Sequence, residues 1–97
     1  VLQLYTSGTT GNPKGAMLTH GNFMACLAGL LVCLGDARID DSDAHLSFLP
    51  LAHVFERLVQ TQAYYCGAAV GFFRGFIVGL VEDIGLLRPT FFPSVPR

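Results

Sequence analysis

The amino-acid sequence predicts an α/β fold in which strands alternate with helices. Three observations carry this expectation. Short apolar runs bounded by Gly and Pro recur along the chain, apolar positions at helical spacing fill several of the intervals, and a Gly/Thr-rich loop separates two short strands near the start. That alternation is the pattern of βαβ units closing a parallel sheet.

Taken in order, Val1 to Tyr5 reads as a strand running into the loop Thr6 to Lys14, and Gly15 to Thr19 as a second strand returning antiparallel. Asn22 offers an N-cap side chain to the apolar run Phe23 to Leu34, and Gly35 supplies its stop. Because that run is apolar nearly all round, it predicts a buried helix. Asp36 to Asp43 holds four of the chain's seven acidic residues and reads as a solvated connection. A strand is expected from His45 to Leu49, ended by Pro50. His53 to Cys66 follows with helical spacing through Val54, Leu58 and Ala63, and ends at Gly67. The remaining expectations are a buried strand over Ala68 to Phe73, a helix over Ile77 to Leu87 with Glu82 and Asp83 outward, and a last strand over Thr90 to Val95.

Composition bounds the function. The 97 residues are 52% hydrophobic with eleven glycines, and only 13% are charged, against about 25% in an average soluble domain. A short chain buries less of its surface and needs more polar residues than this. Residues 1–97 are therefore expected to be an internal fragment of a larger domain. A formal net charge of -1 and six singly scattered basic residues leave no basic stripe for a phosphate backbone, so nucleic-acid binding is not predicted. Cys26, Cys33 and Cys66 are odd in number, form no C-x-x-C pair and lie in apolar runs. They fit a reducing compartment and predict small core residues in place of a disulfide or zinc framework. The apolar run Phe23 to Leu34 is twelve residues, short of the about 20 that span a bilayer.

One segment carries a chemical signature: Tyr5-Thr6-Ser7-Gly8-Thr9-Thr10-Gly11-Asn12-Pro13-Lys14-Gly15. Four Ser/Thr hydroxyls, three glycines and a lysine fall in eleven positions at a turn between strands. Glycines allow close backbone approach, so successive N–H groups can face one concavity and hold anionic oxygens. The hydroxyls add donors, and Lys14 adds a mobile positive charge suited to phosphate. The loop is not a Walker P-loop. Counted from Gly8, the second glycine position is Pro13, and Gly15 follows Lys14 where Ser or Thr is required.

The run YTSGTTGNPKGAMLTHGN, Tyr5 to Asn22, closely resembles the phosphate-loop signature of the adenylate-forming superfamily: acyl-CoA synthetases, luciferases and peptide-synthetase adenylation domains. Leu49-Pro50-Leu51-Ala52-His53-Val54-Phe55-Glu56-Arg57 is similar to a motif of the long-chain fatty acyl-CoA synthetase branch. Gly71-Phe72-Phe73-Arg74-Gly75 and Arg88-Pro89-Thr90 to Val95-Pro96-Arg97 match that branch in kind and order, while Arg74 and Phe76 depart from its usual residues. The resemblance implies part of the large N-terminal AMP-binding domain of an ATP-dependent acid-thiol ligase. It also implies a two-step reaction, in which a fatty acid attacks the α-phosphate of ATP to give an acyl-adenylate and coenzyme A then displaces AMP.

By the same resemblance, Ser7, Gly8, Thr9, Thr10 and Gly11 hold the β- and γ-phosphates and Lys14 neutralises charge as pyrophosphate develops. Thr6 is the residue expected near a Mg2+ ion, and His53 is expected to orient the acyl carboxylate against the α-phosphate. The bland alternative for His53 is a structural residue capping the helix start. His20 reads as a turn residue, His45 as a strand start, and Glu56 and Arg57 as members of structural ion pairs or hydrogen bonds. Phe72, Phe73, Phe76, Phe91 and Phe92 read either as ordinary core or as the lining of an acyl tunnel. Fatty acid, ATP and CoA are the implied partners, with no membrane span in this segment. An intracellular site is implied, which for the parent includes the cytosolic face of the endoplasmic reticulum, mitochondrial outer membrane or peroxisome. The adenine pocket, the ribose-binding acid and the mobile C-terminal domain of such enzymes lie beyond these motifs, so the segment alone is expected to be inactive. Two alternatives stay open on sequence alone: another adenylating enzyme, such as an amino-acid adenylation module or a luciferase-like protein, and a binding-only degenerate nucleotide protein.

Overall fold

The computed structural model describes residues 2–6 and 11–95. It opens on a hairpin. Strand β1 (Leu2–Thr6) pairs antiparallel with β2 (Lys14–Leu18), in a register that sets Thr6 opposite Lys14 and Leu2 opposite Leu18. Tyr5 lies across from Gly15, and a Cβ at Gly15 would sit 3.3 Å from the Tyr5 ring, so the glycine lets the aromatic lie flat over the partner strand.

Helix α1 (His20–Leu34) starts earlier than the sequence reading placed it. Its N-cap is Thr19 rather than Asn22: the Asn22 N–H donates to Thr19 Oγ1 at 3.0 Å, and the Thr19 N–H donates to Asn22 Oδ1 at 3.1 Å. Asn22 therefore fills the third position of a reciprocal capping box. A single 3-10 turn, Gly35–Ala37, extends the helix. The rod His20–Ala37 is 18 residues with mean hydropathy 1.3. By length and composition alone it reaches the lower end of the range that can cross a bilayer, which the twelve-residue count had missed; core helices of water-soluble proteins reach it too. The expectation of a buried helix is not met among the described residues. Only Leu27 is buried, and Cys26 and Cys33 are exposed with Cys66 half-buried, not core as expected. The reason is geometric: α1 packs on one helix, which covers only one stripe of its surface.

The centre of the structure is the βαβ unit β3 (Ala44–Ser47), α2 (Val54–Cys66) and β4 (Ala69–Phe72), with β3 and β4 parallel. Phe91 bridges to the other side of β3 at His45, so β3 has a neighbour on each edge, and His45, Leu46 and Ser47 are all buried. The buried residues of α2 are Glu56, Val59, Gln60, Gln62 and Ala63, of which Glu56 and Gln60 reach His45 and Ser47 of β3. This set differs from the expected Val54, Leu58 and Ala63, of which Val54 is exposed. Gly67 ends α2 in the left-handed region at φ 77, as its position after the last helical turn predicts.

Two expected strands are smaller than predicted. β4 is half-exposed, with Phe72 67% accessible, because no described strand covers its outer edge. The strand over Thr90 to Val95 reduces to the one bridge at Phe91: Pro93 has no N–H to offer a ladder. What fixes this segment is Thr90, whose hydroxyl donates to Asp43 Oδ1 at 2.7 Å and accepts the Ala44 N–H at 3.0 Å. The Asp36 to Asp43 connection is largely exposed, as expected. Within it the hydroxyl and N–H of Ser42 hold the Asp40 carboxyl below the ordinary aspartate range.

The C-terminal helix α3 (Leu80–Leu87) follows a 3-10 turn, Ile77–Gly79. Glu82 points outward as predicted, but Asp83 is buried and accepts the Arg74 N–H at 3.1 Å and Arg74 Nε at 2.6 Å. Arg74 also donates to Glu82 at 2.8 Å and lies 5.2 Å over the Phe76 ring. The two residues that depart from the branch pattern are thus each other's partners. The Glu82 hydrogen bond is the main cause that raises the guanidinium pKa, with a further contribution from Asp83. Asp83→Ala is expected to cost about 1–2 kcal/mol, on the low side for charge-assisted bonds because Arg74 is half-exposed. A thermal midpoint unchanged at low salt would contradict it.

Candidate functional site

The Gly/Thr loop is a hairpin connection. Antiparallel pairing brings Thr6 and Lys14 opposite one another, so the segment between them begins and ends at one place. Thr6 closes β1 and Lys14, exposed, opens β2. Gly11 is exposed at φ 93, in the left-handed region, with no described atom within 4 Å of where a Cβ would stand. A side chain there would be strained by the backbone rather than by crowding. Ser7, Gly8, Thr9 and Thr10 lie outside the described residues.

His53 sits at the start of α2 as its N-cap residue, at φ -85 and ψ 131. Its backbone is engaged, with the N–H donating to Pro50 O at 3.0 Å and the carbonyl accepting from Arg57 N at 3.3 Å. Its side chain makes no capping hydrogen bond and is exposed. The capping role is therefore carried by backbone alone.

Around His53 the helix start is tied down twice. Arg57 Nε donates to Leu51 O at 2.6 Å, and Glu56 Oε1 lies 3.0 Å from His45 Nε2, with both side chains at 0% exposure. With Glu56 as a carboxylate, Nε2 is the donor. Glu56 and Arg57 thus form the structural bonds their residue types predict. His45 lies at the start of β3, as expected, as its second residue, and is fully buried and stacked on Phe91 at 5.1 Å. The His45–Glu56 pair was missed by sequence reasoning. The available signal was the helical stripe Glu56, Val59, Gln60, Ala63, which places a carboxylate on the sheet-facing side.

Two hollows border this region. A cleft of about 400 Å³ is lined by Leu2, His20 and Phe23 on one side and Leu51, Arg57, Gln60 and Thr61 on the other. His20 is thus a cleft residue at the first position of α1. An apolar hollow of about 330 Å³ lies between α1, α2 and the final segment, with Phe55, Phe91 and Phe92 in its wall. Phe92 stacks on Phe48 at 5.0 Å. Phe72 and Phe76 are exposed elsewhere, so the five phenylalanines do not form one lining. Among the described residues no three His, Cys, Asp or Glu side chains gather as a metal cluster.

The family model described as AMP-binding enzyme matches residues 1–97, the whole chain. This chain belongs to the AMP-binding enzyme family. Long-chain-fatty-acid–CoA ligase 6 of Rattus norvegicus is 56% identical over 94 residues, covering 96% of this chain and 14% of that protein. The peroxisomal long chain acyl-CoA synthetase 7 of Arabidopsis thaliana is 53% identical over 93 residues, covering 96% of this chain and 13% of that protein. The chain thus spans a small part of the length of the relatives it matches. The resemblance to the long-chain acyl-CoA synthetase branch stands on these relatives.

The fold agrees with solved members of the AMP-binding family. O-succinylbenzoate CoA synthetase of Bacillus subtilis, in complex with its acyl-adenylate intermediate, superposes with a TM-score of 0.74 at 30% identity, over 95% of this chain and 24% of that one. A Rhodopseudomonas palustris protein described as a long-chain-fatty-acid CoA ligase gives a TM-score of 0.75 over 96% of this chain and 23% of that one; at 23% identity it speaks to the fold alone. The mixed strand and helix arrangement is that of the N-terminal domain of adenylate-forming enzymes.

Proposed function

We propose that this chain is an internal part of the N-terminal AMP-binding domain of a long-chain fatty acid–CoA ligase, and that it carries the ligase's phosphate loop and one wall of its acyl-carboxylate site. The observation that carries this reading is the identity above 50%, over nearly the whole chain, to proteins named as long-chain-fatty-acid–CoA ligases. The proposed reaction joins a fatty acid carboxylate to the α-phosphate of ATP, releasing pyrophosphate, and then passes the acyl group to the thiol of coenzyme A with release of AMP. Its proposed setting is intracellular, on the cytosolic face of a membrane; one of the relatives is named as peroxisomal.

The first step brings an anion to a polyanion, so the site must supply positive charge and oriented donors. Ser7, Gly8, Thr9, Thr10 and Gly11 are proposed to bind the β- and γ-phosphates, with Lys14 beside them holding the charge that accumulates on pyrophosphate. The hairpin register supports this, because it sets Lys14 at the mouth of the loop. The same register sets Thr6 there, and a hydroxyl suits magnesium, which takes few protein ligands alongside phosphate oxygens and water. Bound there, the ion would neutralise phosphate charge.

His53 is proposed to hydrogen-bond the acyl carboxylate or the α-phosphate, keeping nucleophile and phosphorus aligned. Its exposed imidazole, not used to cap α2, supports that role over a structural one. In a full-length synthetase carrying this sequence, His53→Ala is expected to lower kcat for adenylation by roughly 10- to 100-fold, with the thermal midpoint little changed. Unchanged kcat and fatty-acid KM would return His53 to structure. ATP–pyrophosphate exchange driven by fatty acids and not by amino acids tests the substrate class.

A further inference from the structure

The bonds around His53 have a pattern that neither packing nor capping requires. The loop Pro50–His53 closes on itself through the His53 N–H on Pro50 O at 3.0 Å, and Arg57 Nε on Leu51 O at 2.6 Å ties it to α2. One residue before Arg57, Glu56 reaches the opposite way, into the sheet, and meets His45 at 3.0 Å with neither side chain exposed. Consecutive residues of one helical turn thus grip the loop that presents His53 and the strand beneath it.

The sheet-side contact is a poor device for stability. His45 Nδ1 and Glu56 Oε2 are buried without a hydrogen-bond partner among the described residues, and a buried polar pair left half-satisfied gives back much of what its bond contributes. What such a pair does supply is registry, because it forms in only one rotation of α2 over β3. His53 is the N-cap residue of α2, three positions before Glu56, and its backbone runs directly into the first helical turn. Any rotation of α2 that breaks the Glu56 contact therefore moves the backbone from which the exposed imidazole projects.

We propose that Glu56 and Arg57 are positioning residues that aim the His53 side chain at the reacting acyl carboxylate and α-phosphate, with His45 as the anchor for Glu56. This inference rests on the proposed role of His53. In this role each acts through the geometry of the loop 50–53 and the first turn of α2, not through a bond to substrate.

The test is a double-mutant cycle in a full-length synthetase carrying this sequence, reading kcat and KM for acyl-adenylate formation together with the thermal midpoint. Arg57→Met and Glu56→Leu, which remove the donor to Leu51 O and the acceptor for His45, are each expected to lower kcat roughly 10-fold or more, with KM for ATP near wild type. Arg57→Lys, which keeps a donor for Leu51 O, is expected to recover part of the loss. The deciding measurement is His53→Ala combined with Arg57→Met: once His53 is gone, removing Arg57 should cost no further activity. Losses that multiply in the double variant would overturn the inference while leaving His53 in its role. A His53→Ala enzyme with wild-type kcat would instead remove the reading beneath it. If Glu56→Leu does not fold, the Arg57 arm decides alone.

Discussion

Lys14→Ala in a full-length synthetase carrying this sequence is expected to slow acyl-adenylate formation by about 2–4 kcal/mol, roughly 30- to 900-fold in kcat, the typical loss when a charge-stabilising group is removed from an active site. In the proposed reaction, negative charge moves onto the β- and γ-phosphates as the bond to the α-phosphate breaks. A cation at the mouth of the loop is worth more at that moment than in the ground state, so the loss belongs in kcat before KM for ATP. Pairing with Thr6 across the hairpin fixes the backbone at Lys14, and so limits how far its ammonium can stray. Arginine at this position keeps the charge but is bulkier and fork-shaped, so Lys14→Arg is expected to restore only part of the rate. Fatty-acid-dependent pyrophosphate exchange reads both variants, and a wild-type rate in Lys14→Ala would refute the role.

Much of this architecture was legible in the sequence, for local reasons. Gly and Pro punctuate the hairpin, α2 and its stop at Gly67 where the chain must turn, and these positions report local backbone demands that need no knowledge of distant neighbours. The start of α1 was placed wrongly because two good capping residues lie three apart, and the reciprocal bond uses both, with Thr19 as the cap and Asn22 as its partner. Burial was the larger failure. Asp83 read as outward because aspartate usually is, yet Arg74 nine positions earlier folds back to meet it. His45 and Glu56 are eleven apart and on different elements, so nothing local joins them. The proposed phosphate loop was legible as chemistry, through hydroxyls, glycines and a lysine within eleven positions. The fastening of His53 was not, because it depends on how a helix is rotated over a strand.

That fastening leads to the second large effect. Glu56→Ala is expected to cost about 3–5 kcal/mol of stability, because it leaves the His45 Nε2–H buried without its acceptor and opens a hole in a site with no exposure. If the pair served stability, every replacement would be worse than the pair itself. Apolar residues of similar size on both sides, His45→Phe with Glu56→Leu, should behave otherwise. They remove the two orphaned atoms as well as the bond, keep the ring stacked on Phe91, and are expected to leave the thermal midpoint at or near the wild-type value. Adenylation should nonetheless fall in that double variant, since a leucine fills the space without fixing the rotation of α2 that presents His53. Stability and rate would then separate at one pair of residues. A double variant as unstable as Glu56→Ala would mean that the pair is held for the energy of the fold, and a stable one with wild-type kcat would mean that packing alone suffices to aim the histidine.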